Sequence, residues 1–133
     1  MPLKLEWVDV EQSIMCCMGE GKWDWDEYQT ALDQIVEHFR QTTQRVDLII
    51  DRAPNSVMPS GSQMPHFQRA MRIMPENVGL VVIVSSNSFG RAIVSIFSKI
   101  YPSRDNAKLM LVASLDDALN RIARHRREKI AVA

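Results

Sequence analysis

The apolar stretch Val46-Asp47-Leu48-Ile49-Ile50 ends in Asp51 and gives way at once to a Pro- and Ser-rich segment, Ala53 to Ser62, after which helical spacing resumes. A strand closed by a carboxylate and followed by a loop at a helix start is the local pattern of open α/β sheets, which place their binding surfaces at the carboxyl ends of the strands. The chain is therefore read first as a series of strand and helix units, with Asp51 at the edge where function is expected.

The rest of the sequence follows the same plan. From Leu3 to Val10 apolar and charged residues alternate, with Leu3, Leu5 and Trp7 on one side and Lys4 and Glu6 on the other, which is the period of a half-buried strand. A polar turn from Asp9 to Ser13 leads to Ile14-Met15-Cys16-Cys17-Met18, apolar on both faces, so a hairpin feeding a central strand is expected. Asp24 and Glu27 have the spacing of a capping box, Trp23 and Tyr28 that of a hydrophobic staple, and Tyr28, Leu32, Ile35 and Phe39 form one stripe; a helix over 24–41 follows.

Further helices are predicted over 63–74, with Met64, Phe67, Met71 and Met74 on one stripe, over 89–101 after the β-branched run Val78 to Val84, and over 115–128 after a short strand at 108–113. Pro65 is tolerated because it falls in a first turn, and Ser114-Leu115-Asp116-Asp117 resembles a capping box. The order ββαβαβαβα predicts an α/β domain spanning 1–133: a five-stranded mixed sheet with one antiparallel hairpin edge and four helices, joined by right-handed crossovers. If the helices lie mainly on one face, the other face stays apolar, and a homodimer is expected to cover it.

Composition narrows the classes of function. In 133 residues, 16 basic side chains balance 16 acidic ones, so the chain lacks the overall field that gathers nucleic acid or anionic lipid. Its first residues lack the basic flank and apolar run of a signal peptide, and no stretch has the length to span a bilayer; a cytoplasmic location is expected. Cys16 and Cys17 are neighbours, so a disulfide between them is strained and reduced thiols are expected.

With this order of elements, and with Arg45-Val46-Asp47-Leu48-Ile49-Ile50-Asp51 as its strand ending in Asp, the chain resembles the STAS domain, the module of anti-sigma-factor antagonists (SpoIIAA-like) and of the ends of sulfate transporters. The resemblance covers nearly the whole chain. It implies a non-catalytic regulatory or protein-interaction module, and a loop after that strand in which an Asp-Ser-Ser-Gly serine is phosphorylated. Here the loop carries Ser60-Gly61 without the preceding Asp-Ser, so the chain resembles a diverged stand-alone bacterial member, and the phosphoswitch does not transfer directly.

The candidate surface comprises Asp51, Ser56, Ser60, Gly61, Ser62, Ser86 and Ser88, with Ser60 and Ser62 as candidate phospho-acceptors. Free N–H groups at helix starts are expected to give this edge a positive potential, and the serines are equally suited to plain N-capping. His66 beside the same loop is a candidate base with Asp51 as its orienter, though a histidine in a first turn is more often simply exposed. The cysteines read as small buried hydrophobes, the cations Arg121, Arg124, His125, Arg126, Arg127 and Lys129 as a solvated helix end, and the spacing of the three histidines suggests no metal site. No catalytic residue, cofactor or metal is assigned. The alternative function is a carrier of a small anionic or lipidic ligand held between residues 53–62 and 85–90.

Overall fold

A computed structural model of the chain describes residues 3–52, 64–84 and 109–132. Strands β1 (Leu3–Trp7), β2 (Ile14–Gly19), β3 (Val46–Arg52), β4 (Val78–Val84) and β5 (Leu109–Val112) form one sheet in that order. β1 and β2 pair antiparallel, and β2, β3, β4 and β5 pair parallel in succession. The α/β expectation with a mixed sheet holds. β1 is shorter than its alternation suggested: the chain turns after Trp7, leaving Val10 95% exposed, because Asp9 Oδ1 accepts from the backbone of Ser13 and Ile14 and closes the turn.

Three helices lie among the described residues: α1 (Trp25–Arg40), α2 (Met64–Ile73) and α3 (Leu115–Val132). The helix expected over 89–101 falls outside them. α1 starts where the Asp24 carboxylate accepts from Glu27 N at 2.7 Å, and buries Ala31, Leu32, Ile35, Val36 and Phe39. At its other end no glycine serves as a cap. Instead the Asn77 amide donates to the carbonyls of Phe39, Thr42 and Gln44 at 2.9–3.1 Å, so one side chain from before β4 satisfies groups that the last turn leaves open. Ser114 Oγ accepts from Asp117 N at 3.1 Å and caps α3.

The register divides the core into two layers. Cys16, Ile49 and Val82 stand side by side across the sheet and pack with Leu80 and Val84 against Ala118 and Ile122 of α3. On the opposite face Met15, Leu48 and Val46 pack with Ile35 and Phe39 of α1, joined by Leu5, Trp7, Cys17 and Ile50. Cys16 and Cys17 thus face opposite layers, as strand geometry requires, and both are free thiols.

The homodimer expectation was conditional on helices lying mainly on one face, a condition α3 does not meet. α1 covers one face and α3 the other, because α3 follows the last strand and is not constrained by a crossover to a further strand. The uncovered apolar face that motivated a homodimer is therefore not what the described residues present. No helix among them is long and apolar enough to cross a membrane.

Candidate functional site at the carboxyl edge of the sheet

Of the residues proposed from sequence, Asp51 lies within the described part; Ser56, Ser60, Gly61, Ser62, Ser86 and Ser88 lie outside it. Asp51 pairs with Met18 and Val84 and shares the α3 side of the sheet with Cys16, two pleats away from the buried Asp47 on the same strand. Among the described residues no side chain forms an ion pair with it.

His66 belongs to the other layer, over α1, and the suggested Asp51–His66 pairing is not made. Its partner is Gln29, whose Nε2 lies 2.8 Å from His66 Nδ1. Gln29 Oε1 accepts from Arg69 Nη1, and Arg69 Nη2 in turn donates to Asp33 at 2.9 Å. This chain fixes the imidazole tautomer. Arginine has no acceptor, so the Gln29 atom facing it is oxygen, the atom facing His66 is the NH2 group, and Nδ1 must accept; the ring proton sits on Nε2. His66 is thereby a directed hydrogen-bond donor, whereas the sequence suggested a base.

Around His66 the start of α1 gathers aromatic rings. Trp25 stacks on the imidazole, with centroids 4.0 Å apart and planes within 6°. Trp25 is nearly perpendicular to Trp23 at 5.6 Å and 89° and to Tyr28 at 5.4 Å and 83°, while Trp23 and Tyr28 lie within 23° of parallel at 6.2 Å. Tyr28 closes the group by donating from its hydroxyl to the His66 carbonyl at 3.2 Å. All four side chains are partly exposed.

The two tryptophans stand outside the apolar stripe of α1, so periodicity does not mark them, and the spacing of Trp23 signals only half of a staple. Gln29 and Asp33, one helical turn apart and outside the apolar stripe of α1, share a face that meets α2. A polar pair at that spacing beside aromatics was the available signal.

Charged side chains set the electrostatics of the described part of this edge. Glu20, Asp24, Asp26, Glu27, Asp51, Asp116 and Asp117 lie at its strand ends and helix starts, against Lys4, Lys22 and Arg52, so acidic residues outnumber basic ones in its described part. Those in the first turns of α1 and α3 complement the helix dipoles, whereas the first turn of α2 carries no acid. Burial pushes the Cys17 thiol up to about 12, and burial followed by the Asp51 and Glu6 carboxylates pushes Cys16 up to about 11. Neither is a ready nucleophile at neutral pH. Burial likewise raises the Tyr28 phenol. Among the described residues, no three His, Cys, Asp or Glu side chains converge as metal ligands.

At the opposite, amino edge of the sheet lies an ion network that corrects the reading of the last helix as a solvated end. Asp47 is 0% exposed; its Oδ1 accepts from Arg45 Nε, Arg45 Nη2 and Leu80 N at 3.0, 2.9 and 2.7 Å. Its Oδ2 accepts from Arg126 Nε at 2.8 Å and lies 2.6 Å from Nη2 of the same guanidinium. Arg126 also donates to the carbonyl of Ser13 at 3.0 Å, and Arg45 Nη2 donates to Nδ1 of His125 at 2.8 Å. The Asp9 carboxyl supporting Ser13 sits below its ordinary value: burial raises it, but hydrogen bonds from the Ser13 hydroxyl and from the backbone of Ser13 and Ile14 outweigh that effect. The network ties α3 to β3 and to the hairpin, a structural role that follows from burying one carboxylate between two guanidiniums.

No family model, curated protein or solved structure matches the chain. Fold and site together define an α/β chain whose described chemistry gathers as an aromatic cluster on an acidic carboxyl edge.

Proposed function

We propose that this chain is a non-catalytic protein-interaction module of STAS-like regulatory type, and that Trp23, Trp25, Tyr28, His66 and Arg69 form the surface it presents to a partner. One observation carries this reading: three partly exposed aromatic rings and an imidazole pack together at the sheet's carboxyl edge and are braced from behind by Gln29, Arg69 and Asp33. Trp, Tyr and Arg dominate the binding energy of protein interfaces, and rigid rings lose little conformational entropy when a partner docks. A satellite core cluster accounts for the packing of Tyr28 but not for two tryptophans left partly in water. The STAS-like assignment rests on the order of elements and on the strand ending in Asp51.

A nucleophilic enzyme receives no support from thiols held protonated by burial. The carrier alternative places its ligand between residues 53–62 and 85–90, outside the described residues. To test the interaction reading, Trp25→Leu and Arg69→Ala variants are compared with the wild type for capture of binding proteins from lysate, with unfolding measured in parallel. Loss of capture at near-normal stability is expected. Equal capture by all three sinks the assignment.

A further inference from the structure

We infer that the Gln29 amide is a two-position relay driven by the charge on His66: against the neutral imidazole it holds Arg69 to α1, and against the imidazolium it turns over and releases Arg69. This names a regulation of the surface proposed above, and it rests on that reading only for its use. The geometry that carries it lies between α1 and α2. Gln29 has one acceptor and one donor group, and both are committed to α2: its Nε2 lies 2.8 Å from His66 Nδ1, and its Oε1 accepts from Arg69 Nη1. Arginine offers donors only, so this arrangement needs a lone pair on Nδ1 and therefore an uncharged ring.

Histidine is the side chain that ordinarily changes charge between about pH 8 and 5. Once Nδ1 gains a proton, an N–H and an NH2 group face each other at a separation that only a hydrogen bond supports. The ring is held where it is, stacked on Trp25 with planes within 6°, while the Tyr28 hydroxyl holds the His66 carbonyl at 3.2 Å. A half turn of the Gln29 amide is the smaller movement. It presents Oε1 to Nδ1–H and turns the NH2 group toward Nη1, so the conflict between donors passes to Arg69. What remains to Arg69 is its 2.9 Å pair with Asp33, whose side chains are 35% and 61% exposed, and pairs that open to water hold little.

The charged groups around His66 are of both signs. α1 brings Asp24, Asp26 and Glu27 at its start and Asp33 behind Arg69; α2 itself brings Arg69 and Arg72. Burial pushes up the Tyr28 phenol and the Cys17 thiol beside it, so both keep their protons over this range. The stacked indole accommodates an imidazolium. The conflict therefore lies in the direction of the new N–H, and the amide resolves it.

The test follows the side-chain nitrogens of His66 and the Arg69 Nε–H resonance by NMR on the full chain between about pH 8 and 5.5. At the upper end His66 is expected to carry its proton on Nε2, and on acidification the Arg69 signal is expected to shift with the midpoint of His66. In His66→Asn, whose side-chain oxygen keeps an acceptor toward Gln29 and does not titrate, the Arg69 signal stays in place. In Gln29→Glu a carboxylate accepts from both neighbours, so Arg69 stays held while His66 titrates. An Arg69 signal that ignores His66 in the wild type, one that moves equally in His66→Asn, or a neutral His66 protonated on Nδ1 overturns the relay. If Trp25→Leu abolishes capture of a lysate protein while the Arg69 signal ignores His66, the relay fails and the interaction reading stands. If the signal follows His66 but capture is independent of Trp25 and Arg69, the relay stands and the interaction reading fails.

Discussion

Substituting Gly79 with alanine tests the physical account of the ion network directly, because propensity and packing give opposite answers. Among the described glycines only Gly21 has a positive φ, so Gly79 sits in β4 with a backbone that alanine adopts without strain. In a strand interior, replacing glycine with alanine ordinarily stabilises by roughly 0.5–1 kcal/mol. Here an added Cβ falls 2.2 Å from Arg45 Nε, 2.3 Å from Asp47 Oδ1 and 2.7 Å from Arg45 Cζ. Arg45 must give way and lose its bonds to Oδ1, and the buried Asp47 carboxylate must also shift against its bonds from Leu80 N and Arg126. Charge-assisted hydrogen bonds of this kind contribute about 1.5–3 kcal/mol, and subtracting the propensity gain leaves a net loss of about 1–2 kcal/mol. Urea unfolding followed by circular dichroism measures it, with a midpoint lower by on the order of 1 M. In an Arg45→Ala background the same substitution costs less, because the bonds it displaces are already gone. Gly21→Ala provides a contrast: nothing lies within 4 Å of its Cβ, but its φ of +65° makes alanine cost about 1 kcal/mol for conformational reasons alone. A Gly79→Ala protein as stable as wild type, or more so, refutes the argument that this glycine makes room for the Arg45–Asp47 pair.

Arg126→Ala leaves Asp47 with one guanidinium and unties α3 from β3, with an expected loss of about 3 kcal/mol and faster amide exchange along α3; a loss below about 0.5 kcal/mol contradicts the tethering role. Asp24→Ala removes the acceptor for Glu27 N and should cost about 1 kcal/mol by thermal unfolding, while an unchanged melting temperature rejects the cap as a determinant of α1. Cys16 and Cys17 are raised from 9.0 to about 11 and about 12, so the folded chain keeps protons that the unfolded chain releases; their contribution is complete below pH 9 and is lost as pH rises toward 12. Unfolding free energy measured from pH 8 to 11 should therefore fall above pH 9, and fall less in a Cys16→Ala/Cys17→Ala protein; identical slopes contradict the burial of both thiols.

What could be read from the sequence and what could not divide along a physical line. Periodicity reports which residues leave water, so β2, β3, β4, the stripe of α1 and the caps at Asp24 and Ser114 were legible from local spacing alone. The same signal says nothing about which layer a helix joins; α3 packs on the face opposite α1, a choice that depends on non-local contacts of Ala118 and Ile122. Polar residues carried the least information. Asp51, singled out from sequence, sits on the opposite side of the sheet from His66, its candidate partner. Arg126 and His125 looked like a solvated helix end, and nothing local marked Gln29, Asp33 or Asp47, until folding brought together groups 36–80 positions apart in the chain. Apolar burial is a property of each segment's own pattern; a hydrogen bond between distant residues is a property of their final positions, and only the tertiary structure supplies those.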